Sequence, residues 1–321
     1  MTRFILQRLA VLPVAALLVH FLGFSYAHLA RPLRAARNPF LSSMEAQPLL
    51  PTYKGYFQGA LHLDFGDIPV SPGVQESLVT SIARASVSSL GLLAIALVLS
   101  ALLGLALGLL AVRPDPPRLA NWLTLVSTLG LAMPSFYIGS LFVLASLTYL
   151  LRGGYGTRLI LPIRGFGWDS HLVLPTLALI ARPSVQIAQV TAELLKDELG
   201  KQYVVAARSV GFTWRAIRWR LALRNILAAV ILSIAGSVRL LVGELIVVEW
   251  LFEWPGLGRL LALTLIPAVT STSTQEPLFL DPRVVSAVLV VFAALFLLTD
   301  FIAAILVRVS DPRLRSPEAA S

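Results

Sequence analysis

The sequence predicts an all-α polytopic membrane protein with six transmembrane helices, and three observations carry that reading. Of 321 residues, 57% are hydrophobic and only 13% charged, about half the charged fraction of a soluble domain. Uncharged stretches are long. No Asp, Glu, Lys or Arg occurs between Arg8 and Arg31, or between Arg84 and Arg113, and about 20 apolar residues suffice to cross the hydrocarbon core. Most cations gather between such stretches, as the net charge of +9 does when basic loops are held against a cytoplasmic membrane face. That arrangement argues against a nucleic-acid partner.

Span 1 is "AVLPVAALLVHFLGFSYAHLA", Ala10 to Ala30. It follows a basic start, but the apolar run is too long for a signal peptide and lacks a small-residue cleavage site, so it is expected to stay as an anchor. Residues 31–81 form the longest loop, rich in Pro and Gly, with a short amphipathic stretch from Tyr53 to Leu63. Span 2 is "SLGLLAIALVLSALLGLALGLLAV", Ser89 to Val112. Span 3 lies between Arg118 and Arg152. Span 4 runs roughly from Leu172 to Ala192 with Arg182 inside it. Span 5 runs roughly from Leu221 to Val248 and contains Arg239 and Glu244. Span 6 runs from about Val284 to Val307 and contains Asp300.

An even number of spans puts both termini on one side. The Lys196 to Arg224 cluster makes that side cytoplasmic, although Arg31, Arg34 and Arg37 run against the rule. Residues 31–81 then become an extracytoplasmic loop. No internal repeat is visible, and a single transmembrane domain, 1–321, accounts for the chain.

There is no cysteine, and the four histidines are scattered, so neither disulfides nor metal-ligand spacing are available. "ELGKQY", Glu198 to Tyr203, has a Gly-Lys pair without the rest of a phosphate-binding loop. No cofactor is expected, and the chain is not expected to be an enzyme.

Between spans 4 and 5 stands "QYVVAARSVGFTWRAIRWRLALRN", Gln202 to Asn225. Its first half has helical content, with small Ala206 and Ala207 adjacent. Gly211 is placed to stop that helix, and Thr213 to cap a second one. In the second, Trp214, Ile217 and Leu221 recur at helical spacing. Two readings fit the composition. One is an interfacial helix whose arginines meet anionic lipid, with Trp214 and Trp219 at headgroup level. The other is a small-residue helix tip offered to a soluble partner.

Ionisable groups inside spans usually face protein or water. Spans 4 and 5 run in opposite directions, so Arg182 and Arg239 should lie at comparable depth, with Glu244 about 7.5 Å further along span 5. One long arginine side chain reaching that far makes an ion pair. Such a pair either ties the two spans together or lines a cavity. In "EWPGLG", Glu253 to Gly258, Pro255 and two glycines end a helix at the outer surface, with Trp250 and Trp254 expected in the aromatic belt.

The basic hairpin resembles the cytoplasmic coupling loop of ABC importer permeases, in the branch for dipeptide, oligopeptide and nickel uptake. Tyr203, Val204, Ala207, Arg208, Gly211, Ala222, Leu223, Arg224 and Asn225 fall in that family's register, with Leu221 in place of a frequent histidine. "MTRFILQRL" is similar to its basic amino terminus, and "MPSFYIG" (133–139) to its Pro-x-Phe segment. "LPTLAL" (174–179) is similar to the start of its fourth span, "VVEWLFEWPGLGRLL" (247–261) to a run that the resemblance makes a re-entrant outer segment near the path, and "DPRLR" (311–315) to its ending. Five such runs in order, along nearly the whole chain, make the resemblance specific.

The resemblance implies a type I ABC importer permease in a bacterial or archaeal inner membrane, forming half of a translocation path for peptides or a similar small solute. It implies a second permease subunit, two cytoplasmic ATPase subunits or domains, and an extracytoplasmic substrate-binding protein, with the lipid bilayer around them. Residues 193–220 become the coupling loop, with Tyr203, Val204, Ala206, Ala207, Arg208, Gly211, Arg224 and Asn225 as coupling residues. Arg182, Arg239, Glu244 and Glu249 are expected along the path. Of these only Glu249 matches a usual family residue. Gln189 stands where the family has an arginine, Asp300 where it has asparagine, and "ARPLRAARNPF" replaces its outer Pro-Gly-Asp-Pro.

The rival class is a secondary transporter or channel with a lipid-facing basic loop, which calls for inverted repeats or broken helices; no repeat is visible, while Pro13, Pro134 and Pro183 keep the broken-helix reading open. A membrane-embedded enzyme calls for converging carboxylates, histidines or an activated nucleophile, and none converge here.

Overall fold

The structure, a computed structural model, describes residues 2–37, 47–62, 64–71, 74–154, 156–266 and 278–310. Leu63 and the "DPRLR" ending lie outside the described residues. Six helical stretches are long and apolar enough to cross a membrane: Ala10–Ala35, Leu78–Leu110, Ser135–Gly153, Ser170–Leu199, Trp214–Leu251 and Pro282–Leu306.

In chain order, α1 (Thr2–Ala35) is followed by α2 (Leu49–Leu61) and an antiparallel hairpin, β1 (Asp67–Ser71) and β2 (Val74–Ser77). Then come α3 (Leu78–Leu110), a second hairpin of β3 (Val112–Pro114) and β4 (Pro117–Leu119), α4 (Asn121–Ala132) and α5 (Ser135–Gly153). Next are α6 (Val173–Leu199), α7 (Gln202–Ser209), α8 (Trp214–Ala216), a π-helical stretch (Ile217–Ala222) and α9 (Leu223–Leu251). The short α10 (Leu257–Leu265) and α11 (Pro282–Ser310) complete the described fold.

Three expectations are corrected. Span 3 is not one helix: Met133 is extended (φ −93, ψ 115), and the chain breaks into α4 and α5 there. Pro134 has no N–H to give and disfavours helical geometry in the residue before it. The second helix of the basic hairpin is not separate either, since Trp214 to Leu251 runs on as one stretch into span 5. The 31–81 segment is not all loop either: its described residues hold α2 and the first hairpin, while α1 reaches Ala35 and α3 begins at Leu78.

The chain divides into two compact units, residues 1–91 with 253–298, and residues 92–252 with 299–321. In the first, buried Phe24 on α1 meets Tyr53 and Tyr56 of α2 at centroid distances of 5.2 and 5.4 Å. His20 Nδ1 shares a 3.1 Å hydrogen bond with the Tyr53 hydroxyl, and these aromatic contacts hold α2 on α1. Trp254 is fully buried. Its Nε1–H donates to the Ser88 carbonyl at 3.1 Å, and the Leu257 N–H donates to Ser89 Oγ at 2.8 Å. So Trp254 does not join an aromatic belt; Trp250 keeps an exposed ring.

In the second unit α6 is central, and more of it is buried than of any other span. It packs on α9, α4 and α5. A Gly-x-x-x-Gly pair on α3, Gly104 and Gly108, lets α3 come against its backbone. A Cβ on either glycine would stand 2.7 Å from the carbonyl oxygen of Ser184 or Ala188 respectively, closer than carbon and oxygen pack. Small residues at that spacing are how membrane helices approach closely.

Candidate coupling interface

At the end of α6 the chain turns through Gly200 and Lys201 into the eight residues of α7. Gly211 ends α7 with φ +92. Its N–H donates to the Arg208 carbonyl, and the Phe212 N–H to the Ala207 carbonyl, both at 3.0 Å. That is a Schellman closure, which satisfies the last carbonyls of a helix and needs a left-handed residue where glycine sits. Arg208 reinforces it. Its Nη1–H donates to the Phe212 carbonyl at 2.8 Å, and its guanidinium carbon lies 4.8 Å from the Trp214 ring centroid. Thr213 Oγ1 accepts from the Ala216 N–H at 3.2 Å and so caps the helix that becomes span 5.

The two faces of α7 differ. Val204 is 2% exposed and joins a buried cluster with Leu195, Leu199, Ile217 and Ala222. On the same side the Glu198 carboxylate, 7% exposed, gathers three donors. The Tyr203 hydroxyl reaches Oε1 at 3.0 Å and Asn225 Nδ2 reaches it at 2.8 Å, while Lys201 Nζ reaches Oε2 at 2.5 Å. Burial and the Glu198 carboxylate push the Tyr203 phenol up to about 12, so it remains a neutral donor. Below the hairpin, Arg218 Nη2 donates to the Val112 carbonyl at 2.8 Å, tying the start of span 5 to β3.

The other face is open and largely small or apolar. Val205 is 69% exposed and Val210 77%; Phe212, Ala206, Ser209 and Gly211 are exposed beside them. Of the residues expected to couple, Ala206 and Gly211 lie on this face. Ala207 is half-buried, and Arg224 is exposed in the first turn of α9. Arg208 closes the turn, and Tyr203, Val204 and Asn225 engage the inner side. Sequence reasoning missed Val205, Val210 and Phe212 outside, and Glu198 inside. The helical period, which separates 204 and 207 from 205 and 209, was the available signal for the valines.

Within the spans, Arg182 Nη1 donates to Glu244 Oε1 at 3.0 Å, joining α6 to α9. Arg239 does not share that partner. Its Nη1 lies 3.4 Å from Asp300 Oδ1 on α11, because it projects from α9 toward the sixth span. Glu249 is fully buried on α9, and Gln189 Nε2 donates to Glu193 Oε1 one turn on, at 3.1 Å. Among the described residues, no group of three or more His, Asp or Glu is placed to hold a metal ion.

Comparison with known proteins agrees with this geometry. Residues 100–316 match the family described as binding-protein-dependent transport system inner membrane component. The chain is 27% identical to the dipeptide transport system permease protein DppB of Lactococcus lactis, over 98% of this chain and 100% of that one. It is 26% identical to the oligopeptide transport system permease protein AppB of Bacillus subtilis, over 88% of this chain and 89% of that one. It is also 26% identical to the glutathione transport system permease protein GsiC of Escherichia coli, over 98% and 99%. Six spans, the helical joint between the fourth and fifth, and a match over more than half its length agree: the chain belongs to the binding-protein-dependent transport system inner membrane component family.

Proposed function

We propose that this chain is the membrane-spanning permease subunit of an ATP-driven, binding-protein-dependent importer, forming half of the translocation path for peptides or a similar small solute. The observation that carries the reading is α7, a short helix fixed on its inner face and open on its outer one. The relatives' names, dipeptide, oligopeptide and glutathione permeases, support the solute class.

On this reading the termini and the 193–220 loop face the cytoplasm, in keeping with the basic cluster there, and residues 31–81 face outward. Each of two ATPase subunits seats one such helix. One seat is the Val205, Ala206 and Val210 face; the second permease subunit supplies the other. A binding protein delivers the solute from outside. Closure of the ATPases around nucleotide moves the seated helices, and the inner face of α7 passes the motion to α6 and α9. The shift between inward-open and outward-open forms extends only as far as the closed ATPases prefer one of them.

Arg182, Glu244, Arg239 and Glu249 are assigned to the path. The first two pair across α6 and α9, the arrangement that makes charges tolerable at membrane depth. Arg239→Ala is expected to impair uptake while assembly survives. Loss of both would make Arg239 a tie between spans.

The test of the main reading is co-purification of the tagged chain from its native membrane, alongside Val205→Glu and Ala206→Glu. Two ATPase subunits and a second permease should accompany the wild type, and the variants should lose the ATPases alone. Purification of every form without partners would instead favour a lipid-facing hairpin. The surface cleft lined by Arg215, Trp219 and Arg220 would be its contact.

A further inference from the structure

We propose that Glu198 is the positioning residue that makes α7, α6 and α9 move as one body; this rests on the reading of α7 as the ATPase seat. The covalent link between α6 and α7 is only Gly200 and Lys201. A Cβ built on Gly200 would meet nothing closer than 3.5 Å, so no steric wedge sets the angle of the joint. Apart from the Gly211 turn that ties its far end to span 5, α7 is held by apolar packing, in which Tyr203 and Ala207 join Val204, and by one carboxylate. Val204 anchors α7 in the buried cluster, but apolar burial is non-directional and lets a helix slide or rotate. Glu198 supplies direction.

Its carboxylate stands on the last turn of α6 and collects donors from the link (Lys201), from α7 (Tyr203) and from α9 (Asn225). A largely buried carboxylate requires such partners, and a hydrogen bond, unlike apolar contact, fixes the direction of approach. The two oxygens divide the work. Oε1 alone receives both Tyr203 and Asn225 and thereby joins α7 to α9, whereas Oε2 receives Lys201, whose side chain is 58% exposed. The element that carries coupling is therefore the Oε1 bridge rather than the ion pair.

That division makes the conservative variant decisive. Glu198→Gln retains an Oε1 able to accept from both donors, and Lys201 turns to water. Glu198→Ala removes the bridge and leaves Val204 in place. Tyr203→Phe removes only the α7 arm and provides a milder second probe.

The chain has no cysteine, so Gln202→Cys on α7 and Leu227→Cys on α9, both exposed, report the joint by spin-label distance. The experiment uses the complete transporter, with ATPases, second permease and binding protein, in liposomes. The wild type and Glu198→Gln should hold one narrow distance with and without ATP. Glu198→Ala should assemble fully and hydrolyse ATP at a rate close to wild type. Its distance distribution should widen about twofold, and it should carry about tenfold less labelled dipeptide per ATP. Tyr203→Phe should fall between.

A wild-type ratio in Glu198→Ala or in Tyr203→Phe would overturn the proposal. A Glu198→Gln loss as large as that of Glu198→Ala would also do so, by assigning the effect to charge. Loss of assembly in Glu198→Ala, together with wild-type behaviour of Tyr203→Phe, would reduce Glu198 to a packing role. If the wild type recruits no ATPase, the seat itself has failed, and that arm alone identifies the failure.

Discussion

Two turns in this chain, one after α7 and one after α9, use similar grammar to opposite ends. Each contains a residue at positive φ, Gly211 and Glu253. Each leads into a helix, at Trp214 and at Leu257. The turn after α9 drives Trp254 inward, where its indole N–H is satisfied by Ser88. α7 and its turn leave Val205, Val210 and Phe212 outside. An inward aromatic with its polar atom bonded is a packing device. The exposed apolar side chains of the other tip add nothing to the chain's own burial; theirs is the face that the proposed ATPase seat would use.

The comparison breaks most directly at Trp254. Trp254→Ala should lower stability by about 3–5 kcal/mol through lost burial and the cavity left behind. A clear fall in thermal unfolding temperature in detergent, with less protein in the membrane, is the expected reading. A mild effect would mean that this turn is not held by its indole. Val204→Ala comes next, at about 2 kcal/mol, since it deletes buried methyl groups from the inner face of α7. The same melt should detect it.

Gly211→Ala should cost about 1 kcal/mol, because an L residue is strained in the left-handed conformation that the closure requires. Its sharper signature is a weaker ATPase association in a pull-down, from a misangled tip. Val205→Ala should be the smallest, within about 0.5 kcal/mol of wild-type stability as for exposed sites generally. It should still weaken the same association. If Val205→Ala destabilises the chain as much as Val204→Ala, the two faces of α7 do not differ as described.

Much of the site was legible because its determinants are local. Gly211 and Thr213 announce a stop and a cap through their own backbone chemistry, and they act so here. What escaped the reading was whatever depends on a distant partner. Glu198 sits in a basic paragraph with nothing nearby to mark it, yet its third donor, Asn225, stands 27 residues on. Arg182 and Arg239 look alike in sequence, but one meets Glu244 on α9 and the other Asp300 on α11. Pro134 breaks a span, while Pro183 lies inside an unbroken α6.

The sequence by itself determined that six apolar stretches exist, where cations separate them, and that a basic helix ended by a glycine lies between the fourth and the fifth. Those follow from composition, from period and from backbone preferences that act over a few residues. Only the tertiary structure decided which valine of an adjacent pair is buried, which arginine pairs with which carboxylate, and that Trp254 points into protein. Such choices turn on which surfaces meet once helices pack. Two neighbouring side chains of the same kind differ only in the direction they leave the backbone, and packing sets what lies in that direction.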